Sequence, residues 1–352
     1  MSLRYIGIDV HTSSCTIAVM GPSGKRLRHW QVETDRQVLV EAVRSVPSPR
    51  HICFEEGTLS DWVFELLEPL AAELQVIQPL RTRGVKSDAH DAWAAADTMR
   101  LQPADVTRVF KAPGTFTALR KAVRSHGLIQ RDMVRAKNRI HACYRARGVQ
   151  GLDSSIYDPL QRDKWLKKLP PPQRKMTQCF CVELDGLVAA CHQAELWMLE
   201  EAQRVPIVGL ISTAPGISTI RASQIVATVV SPHRFRTSRQ FWAYCGLGIV
   251  MRSSSDWAME EKRWVRTNLT HTRGLNHNHQ PLLKNVFKGA AFTISSPMMA
   301  AHPLHQSYQR LLAAGTKPNL ARLTIARRIA AAVLAMWKNK ETYNPTKQTI
   351  AA

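Results

Sequence analysis

Asp88 and Asp91 stand three residues apart at the head of an alanine-rich run, Ala89 to Met99. That run reads as helix, and residues three apart on a helix share a face. Carboxylates held that close repel each other unless a cation or a proton sits between them. Alone, the pair suits any helix start, because acids favour the positive end of the helix dipole. Two more carboxylates change the reading. Asp9 ends one short apolar run, and Glu55 or Glu56 ends another, His51 to Phe54. Four acids from separate elements, converging on one sheet edge with no histidine among them, make an oxygen-rich site. Such a site selects Mg²⁺ or Mn²⁺ over zinc. Two ions held roughly 3.5–4 Å apart would bind a phosphodiester and stabilise its attacking and leaving oxygens.

A second candidate is the serine run Ser253-Ser254-Ser255, preceded by Arg252. A serine hydroxyl attacks only if its proton is removed or its oxygen sits near a metal. Arg252 would hold a phosphate beside it; without that context the run is a polar loop. His271, His277 and His279 suggest surface or nucleic-acid contacts more than a metal cluster. Cys179, Cys181 and Cys191 with His192 fit no common zinc-finger spacing and fall in a helical stretch, so buried thiols are expected. Seven scattered cysteines point to reduced thiols and a cytoplasmic setting. No apolar run is long enough to span a bilayer, and the N-terminus lacks a signal-peptide core.

The elements that must carry the acids read as β-β-β-α-β-α-β-α. Strands are expected over Arg4 to Val10, Thr16 to Met20 and Arg28 to Glu33, with a Gly21-Pro22-Ser23-Gly24 turn after the second. Asp35 caps a helix to Val46, His51 to Phe54 is a buried strand, and Ser60 caps a helix over Asp61 to Glu73. Leu74 to Ile77 is a fifth strand, and the Asp88/Asp91 helix runs to about Leu101. Three antiparallel strands followed by right-handed crossovers give a mixed five-stranded α/β sheet of the ribonuclease-H-like kind. There the first and fourth strands lie parallel and adjacent, so Asp9 and Glu55 become neighbours.

Charge divides the chain. Residues 1–105 hold 11 Lys and Arg against 14 Asp and Glu; residues 106–352 hold 37 against 13. An acidic metal-binding domain joined to a polyanion-binding remainder fits that split. After a linker over 107–114 comes a basic helix with Arg120, Lys121, Arg124, Arg131, Arg135, Lys137 and Arg139, and one acid, Asp132. Its apolar stripe is Leu119, Val123, Leu128, Met133, Ile140 and Tyr144. So one-sided a run repels itself without a polyanion, which favours nucleic-acid contact. Residues 152–172 read as a loop-rich interruption, and a long helix from Gln173 to Arg204 completes a hairpin-like arm. Pro215-Gly216-Ile217 is a turn between helices, and Gly216 would open backbone N–H groups to a phosphate. Residues 264–278 read as polar and irregular. Helices follow at 281–294, 303–314 and 320–337, the last burying Ile325, Ile329, Val333 and Trp337.

With these pieces in order, the chain resembles the insertion-sequence "one-ten" family of transposases, which is related to the Piv-type DNA invertases. The motifs that carry the resemblance are Gly7-Ile8-Asp9-Val10-His11, Phe54-Glu55-Glu56-Gly57-Thr58, Lys86 to Ala92, Pro215-Gly216-Ile217, Phe235 to Leu247 and the serine run. Lys288-Gly289-Ala290-Ala291 and Ala330 to Trp337 continue it. The resemblance implies a RuvC-like metal-binding domain over 1–106, a basic helical or coiled-coil arm over 107–205, and a mainly α transposase domain over 206–352. It implies Asp9, Glu55, Asp88 and Asp91 as the acidic set, and Ser254 as nucleophile by its count from Gly246-Leu247. Ile249 and Ser255 depart from the family's usual Pro and Gly, so Ser253 and Ser255 stay open, as does Glu56. It further implies joining of serine to a DNA phosphate with Mg²⁺ assisting, and strand exchange between donor and target duplexes through a junction. A tetramer (dimer of dimers) with composite sites and a structured bridge RNA are also implied. A metal-dependent junction nuclease without serine chemistry is the alternative.

Overall fold

The computed structural model describes residues 2–79, 87–112, 114–253, 257–260, 263–266 and 270–345. Two compact units divide the chain, Met1–Gly114 and Thr115–Ala352.

The first unit is a mixed sheet with helices on both faces. Its strands are β1 (Arg4–Val10), β2 (Ser14–Met20), β3 (Arg26–Glu33), β4 (Arg50–Glu55), β5 (Glu73–Ile77) and β6 (Arg108–Val109), in the order β3-β2-β1-β4-β5-β6. β1 pairs antiparallel with β2 and parallel with β4, as expected. The sixth strand was not expected: Arg108 and Val109 pair antiparallel with β5 inside the segment read as a linker. Three helices, α1 (Arg36–Arg44), α2 (Ser60–Leu67) and α3 (Asp88–Leu101), complete the unit. The Asp35 side chain caps α1 by accepting from the Gln37 and Val38 N–H groups. Ser60 does not cap α2; it is the first helical residue, and Leu59 precedes it. α2 also stops earlier than expected, because Pro69 falls in the short 3-10 turn Glu68–Leu70 that follows.

Strand alternation sorts the core onto two faces. Ile6, Ile8, Ile17, Ile52 and Phe54 pack with Leu39 and Val43 of α1 and Val63 and Leu67 of α2. On the other face, Ala18 and Met20 meet Ala92, Trp93 and Ala96 of α3, and Cys53 and Ile77 meet Ala95 and Met99.

The second unit is mostly helical. α4 (Gly114–Arg145) and α6 (Pro171–Gln203) form the long arm helices, with α5 (Asp163–Leu166) between them. The segment read as a loop is partly core: Ile156, Trp165 and Leu169 pack with Ala136, Ile140 and Tyr144 of α4 and Cys181 and Leu184 of α6. Within the expected stripe Leu128 is 43% exposed, and His126 holds the buried position instead. The helices α7 (Pro206–Ser212), α8 (Thr219–Val229), α9 (Ser238–Tyr244), α10 (Pro281–Ile294), α11 (Pro303–Ala313) and α12 (Pro318–Asn339) share one apolar core with the start of α4 and the end of α6. Ile325, Ile329, Val333 and Trp337 of α12 are buried there, as their spacing predicts. The stretch expected to be irregular instead belongs to two ribbons: β7 (Ile249–Ser253) with β10 (Thr270–Leu275), and β8 (Trp257–Glu260) with β9 (Arg263–Arg266). No helix among the described residues is long and apolar enough to cross a membrane.

Candidate active site

The start of α3 determines where the acids go. The Ser87 hydroxyl caps the helix by accepting from the His90 N–H at 3.2 Å. Asp88 and Asp91 then occupy its first turn, above the buried Ala92, Ala95 and Ala96. Gly7 of β1 receives that helix. A Cβ on Gly7 would stand 1.9 Å from the Ala92 carbonyl oxygen and 2.4 Å from the Ala96 nitrogen, so only glycine lets α3 lie so close. Asp9 sits two residues further along β1 and faces the same way. Asp88, one helical turn before Ala92, therefore arrives beside Asp9.

His11 completes this cluster. Its Nε2 lies 3.0 Å from Asp9 Oδ2 and 3.6 Å from Asp88 Oδ1. Among the described residues, Asp9, His11 and Asp88 are the one set of three such groups with donor atoms all within 4.8 Å of one another. Burial pushes the Asp9 carboxyl above the usual carboxylate range. His11 pulls it back, while the charges of Asp88 and, less strongly, Asp91 push it further up. Excess negative charge at a half-buried point is what a divalent cation relieves, so these residues fit one.

Glu55 belongs to the same face. The parallel register sets Ile8 beside Phe54, so Asp9 and Glu55 are the next residues along their strands. Glu55 alternates with Cys53 along β4, and Cys53 packs against α3, so both face that side. Burial and then the Glu55 charge push the Cys53 thiol up to about 12. Glu56 is engaged elsewhere. Lys111 Nζ lies 3.1 Å from its Oε1 and 2.8 Å from its Oε2, and also binds Ser60 Oγ at 2.9 Å and Asp61 Oδ1 at 2.7 Å. The Lys111 side chain is 9% exposed, but Glu56 is 39% and Asp61 65% exposed, so a buried lysine reaches out to hold two surface carboxylates between the end of the sheet and α2.

Two family models match the chain. A Transposase model of the DEDD IS110 type covers residues 6–146, and the model for the Transposase IS116/IS110/IS902 family covers residues 208–278. The chain belongs to the IS110 family of insertion-sequence transposases. It is also 27% identical over 280 residues to a "Probable family 20 transposase" of Pseudomonas aeruginosa, covering 72% of this chain and 76% of that one. The first match takes in all the strands that carry the acids and runs to the end of α4. The second spans α8, α9 and the serine run.

The other expected site residues of this transposase are placed unevenly. Ser254 and Ser255 lie outside the described residues, as does Lys86; Ser253 and Arg252 close β7. Gly216 has φ +71°, and a Cβ there would meet the Ala290 carbonyl oxygen of α10 at 2.7 Å. Packing and backbone conformation therefore already require this glycine, whatever else the turn does. On α4, Arg120 donates to the Ala227 carbonyl oxygen of α8 at 3.0 Å. Arg135 pairs with Asp132, and Arg139 pairs with Glu183 and lies over the Phe180 ring. Lys137 lies over the Tyr157 ring. Lys121, Arg124 and Arg131 are exposed. His277 is exposed, while the His279 ring fills the space a Gly246 side chain would need. Cys181 and Cys191 are buried free thiols, as expected, but Cys179 is exposed.

Sequence reasoning missed His11 and Lys111. His11 had a signal: it alternates with Asp9, so an extended chain carries both to one face. Lys111 had none, because its partners lie some fifty residues away.

Proposed function

We propose that this transposase cuts and rejoins DNA strands with a divalent-cation centre held by Asp9, Glu55, Asp88 and Asp91 and with Ser254 as nucleophile. The observation that carries the reading is the meeting of Asp9 and His11, at the end of β1, with Asp88 of α3, their donor atoms all within 4.8 Å of one another. Mg²⁺ or Mn²⁺ bound there supplies Lewis-acid stabilisation of charge on phosphodiester oxygens. The protein's own part is positioning. The β1–β4 ladder fixes Asp9 and Glu55 side by side, and the capped first turn of α3 presents Asp88 and Asp91.

In the serine half, the Ser254 Oγ–P bond forms as the phosphodiester bond to a deoxyribose oxygen breaks, and that oxygen leaves as a hydroxyl. Attack by a hydroxyl of the exchanged strand reverses the step and frees the serine. The phosphoserine keeps the energy of the broken bond, so rejoining needs no outside energy source. Arg252 is assigned to the phosphate beside it. The transposase domain match over residues 208–278, which includes this segment, supports the reading. Donor and target DNA are the substrates. The basic excess over residues 106–352 suits polyanion binding. A structured bridge RNA as second polyanion and a tetrameric assembly are assigned because the family resemblance implies them. The division into 1–106, 107–205 and 206–352 is retained for these roles.

The acidic cluster on its own also favours a second reading, a RuvC-like junction nuclease that attacks with water. A strand-exchange assay with donor DNA, target DNA, the element's RNA and Mg²⁺ separates the two. Loss of exchange in both Ser254→Ala and Asp9→Ala, with a protein–DNA adduct in wild type alone, supports the serine route. Full activity in Ser254→Ala, Ser253→Ala and Ser255→Ala would leave the nuclease.

A further inference from the structure

We propose that His11 is itself a ligand of the acidic centre, and that its nitrogen makes the centre prefer Mn²⁺ to Mg²⁺. The inference rests on the reading that Asp9 and Asp88 hold a divalent cation.

The backbone of His11 is pinned on both sides. Its N–H donates to the Ser14 carbonyl oxygen at 2.9 Å, and its own carbonyl oxygen accepts from the Thr34 hydroxyl at 2.7 Å. These bonds fix the residue just where β1 ends and turns into β2. Its imidazole is half-exposed and open to the site, 53% accessible, while the Asp9 side chain is 17% accessible. A residue that served only to orient Asp9 would need one short contact. His11 has a second approach, to Asp88, so its Nε2 lies between carboxylates from two different elements.

The spacing suits a shared ion. At metal–ligand distances of about 2.1 Å, adjacent ligands of an octahedral ion stand roughly 3 Å apart. The His11–Asp9 and His11–Asp88 separations of 3.0 and 3.6 Å are close to that edge. Small rotations of exposed side chains cover the difference, since Asp88 is 50% accessible.

A nitrogen donor changes which ion is favoured. Mg²⁺ takes oxygen ligands and keeps its waters, whereas imidazole suits first-row transition ions; of the two ions that a carboxylate-rich set admits, Mn²⁺ is the one belonging to that series. An oxygen-only set on the same backbone would discriminate less between the two ions.

The test uses the full-length protein loaded with Mn²⁺ and read by electron spin-echo envelope modulation, with competition titrations of Mn²⁺ against Mg²⁺. Wild type should show ¹⁴N modulation from one imidazole, lost in His11→Ala, in His11→Asn and in Asp9→Ala. Both His11 variants should weaken Mn²⁺ binding by about 10-fold or more, as expected for disturbing a ligand shell. Their Mg²⁺ affinity should change much less. Mn²⁺ bound in an Asp9-dependent way but without ¹⁴N modulation, or with modulation that persists in His11→Ala, overturns the assignment and leaves the acidic centre standing. Equal losses of Mn²⁺ and Mg²⁺ reduce His11 to a positioning residue and also overturn it. Failure of wild type to bind Mn²⁺ at Asp9 removes the acidic-centre reading and this inference together. Circular dichroism of each variant checks that the fold is intact.

Discussion

Gly7 lies directly beneath Ala92: a single methyl group on Gly7 would fall 1.9 Å from the Ala92 carbonyl oxygen. Backbone is the obstacle, so a side chain there cannot rotate out of the way. Gly7→Ala should push α3 off β1 and carry Asp88 away from Asp9. Overpacking of this kind costs about 1–3 kcal/mol, and a clash with backbone sits at the upper end. Thermal unfolding should fall accordingly, and Mn²⁺ affinity should fall with it. Retention of both would mean that the contact does not position the acids.

Asp9 carries a charge that the apo protein would be better without. Burial raises its pKa, and Asp88 and Asp91 add repulsion. Asp9→Asn should therefore melt at or above the wild-type temperature without metal, although it removes the proposed chemistry. Saturating divalent cation should reverse the order. An ion at about 100 times its dissociation constant stabilises the wild type by about 2.7 kcal/mol, and it should barely move the variant. A variant that melts lower without metal, or that gains as much from it as the wild type, contradicts this account.

Much of the first unit was legible because local rules and tertiary needs agreed there. Strand alternation, the Asp35 cap and the apolar ends at Asp9 and Phe54 each pointed to the same sheet, so β1, β4 and their parallel pairing follow from sequence. The rest depended on distant partners. β6 is two residues long and exists because β5 offers it an edge. Ser60 looks like a helix cap, yet its hydroxyl meets Lys111 instead. In the second unit Leu128 fits the apolar stripe as well as any residue, but the buried position belongs to His126, which no hydropathy pattern would select. The Trp264 to Asn278 stretch is polar and basic with no period-two hydrophobic alternation, so it gave no strand signal. The acids of the candidate site were readable as types at strand and helix ends. Their convergence on one sheet edge was expected from the element order. How closely Asp88 approaches Asp9 was not readable, because it depends on how closely Gly7 lets α3 approach.

Glu55 and Glu56 are adjacent, and opposite outcomes are expected from them. Glu56 belongs to the Lys111 clamp, so Lys111→Met should leave Glu56 and Asp61 without their shared cation. Because both carboxylates are well exposed, solvent takes over part of the pairing, and the loss should be about 1 kcal/mol. Cleavage measured below the melting range should survive that change. Glu55→Gln should do the reverse, sparing stability and stopping cleavage. If Glu56→Gln abolished cleavage in a well-folded protein and Glu55→Gln did not, the assignment would pass to Glu56.

The arm separates structural from ligand-facing arginines. Arg120 satisfies the Ala227 carbonyl oxygen, and Arg120→Ala should lower stability by about 1 kcal/mol. Arg124 and Arg131 are exposed, and replacing both by alanine should leave stability within about 0.5 kcal/mol. If they contact phosphates, the double variant should bind nucleic acid more weakly. Its plot of log affinity against log salt should flatten by about 0.9 per lost contact for duplex DNA. An unchanged slope would remove those two residues from the interface.

His126 gives the arm a dependence on pH. It is 1% exposed in the α4–α6 packing, and neither ring nitrogen has a hydrogen-bond partner. Burial lowers its pKa, and Glu195, at 3.9 Å from Nε2, offsets that only in part. The unfolded chain binds a proton at His126 near pH 6.5, but the folded chain resists it. Below that pH the unfolded state therefore holds more protons, and stability falls as the solution is acidified. Above pH 6.5 the contribution levels off. His126→Leu keeps the packing and removes the proton, so its melting temperature should drop less than that of wild type between pH 7.5 and 5.5. The other histidines act on both proteins alike and cancel in the comparison. If the two curves run parallel through that window, the ring is protonated as readily folded as unfolded, and Glu195 fully balances burial.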